Sequence, residues 1–133
     1  MRAMLDLQRL KNRKGKHRKI YEKAHRIMKQ GWKTPDLSEK EILDIANKYP
    51  TLNVKVLINN DIVVRSIKDS WLIIDEGRFY TLYHKGIVFE GRKAKESYHL
   101  QDVFYDLNYI FASIVSHDEY KMGIKQKMEN KTL

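Results

Sequence analysis

Apolar residues recur along the chain with two different periods, and the change between them divides it. Met4, Leu7 and Leu10 stand three apart, as on a short helix that Gly15 interrupts. Ile20, Ala24, Ile27 and Met28 form one stripe at helical spacing, which predicts a second helix over 16–30 ended by Gly31. Pro35 then holds Thr34 out of helix. Ser38 and Glu41 have the spacing of a capping box, so a third helix is predicted over 38–49. Ile42, Ile45 and Ala46 point inward on it, and Pro50 closes it. From Val54 the period falls to two. Strands are predicted at 54–58, 62–67, 71–75 and 78–84, with a short fifth in "IVFE" at 87–90. The turn chemistry of "NND" (59–61), "DEGR" (75–78) and "KG" (85–86) joins them into an antiparallel meander. "GRKAKES" (91–97) reads as a polar loop. Leu100, Val103, Phe104, Leu107, Phe111, Ile114 and Val115 then return to helical spacing, and predict a long helix over 98–117.

These elements make an α+β fold. A helical segment (1–34) leads into a body (35–120) of one helix, a meander of four to five strands and a long C-terminal helix packed on the sheet. A polar tail (121–133) follows. A chain of 133 residues, 42% hydrophobic and 32% charged, is long and apolar enough for one buried core without cross-links. It has no cysteine, which removes disulfides, thiolate metal sites and thiol catalysis. No apolar run reaches the length of a membrane span or a secretory leader, so a cytoplasmic protein is expected.

Charge changes the picture more than composition does. Residues 1–33 carry twelve Lys or Arg against two acids, a net of +10, while the other hundred carry fourteen against fifteen, a net of −1. All of the excess belongs to the first helices. Such density suits the neutralisation of several phosphates, with Arg able to grip one phosphate through two donors. The expected contacts to a DNA or RNA backbone are Arg9, Lys11, Arg13, Lys14, Lys16, Arg18, Lys19, Lys23, Arg26, Lys29 and Lys33, with Trp32 available to stack on a base. An acidic protein surface is the alternative partner for the same cations. The apolar face beneath them would also serve a homodimer.

Catalysis has weaker support. A metal-independent ribonuclease would need His84 and His99 as base and acid, with Tyr83, Tyr98, Arg92, Lys93 and Lys95 around the phosphate. This requires the end of the fourth strand to meet the start of the last helix. "HDE" at 117–119 and the pair Asp102 and Asp106 match no ligand spacing and read as solvated acidic faces. Neither a phosphate-cradling glycine loop nor a dinucleotide fingerprint is present, so no cofactor is expected. Tyr98, Asp102, Tyr105, Asp106 and Tyr109 would share one face of the last helix. They suit a protein-binding patch or, the reading favoured here, a seat for the basic segment whose cations pair with the two aspartates.

Overall fold

The computed structural model describes residues 5–131 and, within them, the side chains of all but 87–90 and 124–131. Met4 of the first stripe lies outside the described residues. The elements run α1 (Leu7–Lys11), α2 (Lys16–Lys29), α3 (Glu39–Ala46), β1 (Asn53–Val56), β2 (Ile62–Arg65), β3 (Ser70–Asp75), β4 (Tyr80–Glu90), β5 (Lys93–Phe104) and α4 (Leu107–Lys131). The five strands pair antiparallel in chain order, as a meander, and the fold is α+β.

Local chemistry explains most of the boundaries. Ser38 Oγ accepts from the Glu41 N–H at 3.2 Å, and the Glu41 carboxylate accepts from the Ser38 N–H at 3.2 Å, so the capping box starts α3. Gly31 follows α2 with φ of +78°, a left-handed conformation that ends the helix and turns the chain toward the sheet.

Neighbouring residues on a strand point to opposite faces, and each face has its own cover. Ile62, Val64, Trp71, Ile73, Tyr80 and Leu82 point to one side and pack with Ile42 and Ala46 of α3 and with Leu107, Ile110, Phe111 and Ile114 of α4. Phe79 and Val103 belong to a second cluster with Leu10, Ile20, Ala24 and Ile27. The basic α2 is therefore docked on the sheet by a buried stripe, and is not a free arm.

The structure corrects the sequence at the end of the meander. Residues 98–104 were predicted helical and are strand; α4 begins at Leu107 and continues to Lys131, past the predicted end at 117. "KG" at 85–86 lies inside β4, not in a turn, and "GRKAKES" forms the hairpin turn and the start of β5. The cause is a β-bulge. Leu82 pairs with Asp102 but its neighbour Tyr83 pairs with Leu100, so β5 carries one extra residue, Gln101. The extra residue brings Leu100 and Val103 to the same face three positions apart, which imitates the period of a helix.

Candidate nucleic-acid interface

The buried stripe of α2 decides which of its cations face outward, and in which direction. Lys16, Lys19, Lys23 and Arg26 follow one another along the flank beside β5 and line a groove with Gln101 and two acids, Glu22 and Asp102. Lys23 Nζ lies 3.1 Å from Asp102 Oδ2 and 4.2 Å from the centre of the Phe104 ring, and Lys16 Nζ donates to Gln101 Oε1 at 3.1 Å. These two contacts fix the groove's wall. Among the described residues, Lys19 and Arg26 have no ion-pair partner.

The other predicted contacts divide between the two ends of the helix. At its start, Arg9 and Arg13 line a cleft of about 370 Å³ with His17, Tyr83, Tyr98 and His99, a volume in the range of small-ligand sites. Neither guanidinium has a carboxylate partner among the described residues. Lys11 and Lys14 are exposed nearby. At its end, Lys29 and Lys33 are exposed on either side of Trp32. Arg18 turns away from the groove. Its guanidinium pairs with Glu22 at 3.2 Å, donates to the Lys11 carbonyl and lies 5.2 Å over the Tyr21 ring. It closes the corner between α1 and α2 and is the predicted contact least free to bind a phosphate.

The tyrosines and aspartates expected on one helical face are distributed otherwise. Tyr98 and Asp102 belong to β5, and Tyr105 and Asp106 to the connector before α4. Asp102 does pair with a cation of α2, whereas Asp106 accepts from the Asn108 N–H at 2.6 Å at the start of α4. Trp32 and Tyr105 come together with ring centres 5.1 Å apart, and Tyr109 follows at 5.4 Å.

The ribonuclease set comes together only in part. His84 and His99 are register partners on β4 and β5, and His99 shares its cleft with Tyr83 and Tyr98, whereas the cations expected around the phosphate lie elsewhere. The His99 ring lies across Gly86, where an added Cβ would stand 2.9 Å from its Cδ2; this interior glycine admits the ring. Lys93 is six residues further along β5, about 20 Å away at strand rise. Arg92 and Lys95 sit on the same outer hairpin.

His84 instead belongs to a network that the sequence did not suggest. Its Nε2 lies 2.8 Å from Asp69 Oδ1, and its ring centre 4.7 Å from Trp71 and 5.7 Å from His117. His117 Nδ1 lies 3.5 Å from Asp69 Oδ2, and Lys121 Nζ 2.5 Å from the same oxygen. Burial alone would raise the Asp69 carboxyl, but Lys121 and His84 outweigh it and hold it below the ordinary value. Burial, and then the charge of Lys121, hold the His117 imidazole below its own.

Asp118, expected on a solvated face, is 2% exposed. It accepts from Ser66 Oγ at 2.9 Å, the Ile67 N–H at 2.9 Å and the Lys68 N–H at 3.3 Å. His117, expected at a helix end, sits inside α4. Atoms of Asp69, His117 and Asp118 lie within 4.8 Å of one another, as metal ligands would. Yet the Asp118 carboxylate is already saturated by donors and an ammonium occupies Asp69. The group acts as a staple between the β2–β3 turn and α4.

Among the described residues, no helix is long and apolar enough to cross a membrane. Compared with known proteins, the chain matches no family, no curated protein and no solved structure, which leaves the cationic flank of α2 as the ground for a functional reading.

Proposed function

We propose that the protein binds nucleic acid through backbone phosphates and does no chemistry on it. The observation that carries the reading is the alignment of Lys16, Lys19, Lys23 and Arg26 along one groove, held in place because Ile20, Ala24 and Ile27 are buried beneath them. Burial of the stripe fixes this row against β5, and from Lys16 to Arg26 it spans about 15 Å at the helical rise. Arg9 and Arg13, in the cleft at the start of the helix, and the exposed Lys29 and Lys33 at its end add further cations outside the groove.

Salt dependence tests this. Cations that displace counterions from phosphates give an affinity that falls log-linearly with salt, by roughly 0.7 to 0.9 in slope per phosphate. Replacing Lys19, Lys23 and Arg26 with Ala is expected to flatten the slope by about 2 to 3 and to weaken all sequences alike. Replacing His84 is expected to leave the slope unchanged. An acidic protein is the competing partner for the same groove. A titration with oligonucleotides that shows no binding at low salt would remove nucleic acid and leave that partner ahead.

A further inference from the structure

Trp32, Tyr105 and Tyr109 form a row of exposed rings at the C-terminal end of α2. The residues are 45%, 37% and 57% exposed. Their ring centres are 5.1 and 5.4 Å apart, with interplanar angles of 33° and 50°. They come from three places, the segment after α2, the connector before α4 and the first turn of α4. Neither core cluster includes them.

The row is held from behind. The Arg78 guanidinium donates to the Trp32 carbonyl at 2.7 Å and to the Met28 carbonyl at 2.8 Å, tying the end of α2 to the β3–β4 turn. The indole N–H donates to Gln30 Oε1 at 3.1 Å, which fixes the ring's direction. Thr34 is pinned next door, its hydroxyl 2.6 Å from Asp75 Oδ1 and its N–H 2.9 Å from the Gly77 carbonyl. A hydrogen bond with Tyr109, and then burial and Asp106, raise the Tyr105 phenol above its ordinary value. The ring stays uncharged at neutral pH and presents no anion to a ligand.

We propose that this ring row stacks the bases of a single-stranded nucleic acid whose phosphates follow the basic flank of α2. The inference rests on the nucleic-acid reading above and narrows its substrate class. Two features favour a single strand. Exposed aromatic faces bind unstacked bases, which a duplex keeps inside its own stack. Contacts between the α2 segment and the β5 segment run in order from Lys16–Gln101 through Lys23–Asp102 and Lys23–Phe104 to Trp32–Tyr105, so the ring row continues the cation-lined path and meets a ligand that carries both negative charge and flat apolar faces. Fixed rings also bind with little loss of conformational freedom. A protein partner could use the rings as well, but it would have no need of them at the end of a row of cations.

The test uses the full chain with three probes: a twelve-residue oligouridylate, a duplex of the same length, and heparin, which is anionic but has no bases. Trp32 is the exposed one of the two tryptophans, Trp71 being 1% exposed, so its fluorescence reports stacking directly. The oligouridylate is expected to quench it and heparin is not. Trp32→Ala and Tyr109→Ala are each expected to weaken oligouridylate binding about tenfold, the scale of one lost base stack. Heparin binding and the salt slope should not change, and Trp32→Phe should restore most of the affinity. Circular dichroism confirms that each variant is folded. Equal affinity of parent and ring variants for the oligouridylate, with salt dependence intact, would overturn the ring row alone. Absence of binding to all three probes would overturn the nucleic-acid reading and the ring row with it.

Discussion

Asp118 shows how much one side chain can hold. Its carboxylate takes three donors from the β2–β3 turn while almost completely buried, and Ser66 Oγ in turn accepts from the indole N–H of Trp71 at 3.1 Å. Asp118→Ala would strand two backbone N–H groups. It is expected to cost about 3 kcal/mol, read as a lower denaturant midpoint with unchanged slope. The neighbouring His117 makes stability depend on pH. Its folded imidazole titrates below the unfolded one, so the unfolded chain takes up the proton first as pH falls. Its contribution is complete above about pH 6.5 and is lost as pH drops through the folded value. Asp69 behaves as a depressed carboxylate, and its share is lost only below about pH 3.9. Midpoints measured from pH 8 to 4.5 should therefore decline toward acid, and His117→Gln should flatten the decline. A midpoint independent of pH over that range would contradict the lowered titration of this half-buried imidazole.

Among the elements, α4 and β5 carry the sharpest tests. Phe111 is fully buried between α4 and the sheet, with its ring centre 5.7 Å from Tyr49. Phe111→Ala is expected to destabilise the protein by about 3–5 kcal/mol. Phe104 only partly enters the same core and lies under Lys23, so its replacement should cost less. Equal losses for the two would mean that the end of β5 is as tightly packed as α4. In β5, the bulge at Gln101 explains both the misread period and the site, because it turns Leu100 toward α2 while leaving Asp102 free to pair with Lys23. The short, strongly marked elements were legible: the capping box of α3 and the apolar stripe of α2 are written in adjacent residues, within one or two turns of chain. A strand with an inserted residue is not, since its spacing acquires meaning only from the partner strand.

At the scale of the molecule, α2 joins charge to fold. Its buried face covers Phe79 and Val103, so removal of residues 1–34 would expose both along with the cations' support. The truncated chain is expected to lose polyanion binding and to melt at lower denaturant, with new binding of a hydrophobic dye. A truncated chain as stable as the whole would show that the second cluster adds nothing. The charge division, +10 in the first 33 residues and −1 in the rest, was plain in the sequence because charge is additive and needs no geometry. So were the α+β class and the docked stripe's membership, since periodicity is a local property of the chain. Only the tertiary structure decided that Lys16, Lys19, Lys23 and Arg26 share a groove with β5 while Arg18 does not, that Asp118 is buried, and that Trp32 meets Tyr105 across more than seventy residues. Those contacts depend on where the sheet carries each element, and distance in space between residues far apart in sequence is set by packing, which no single stretch of chain contains.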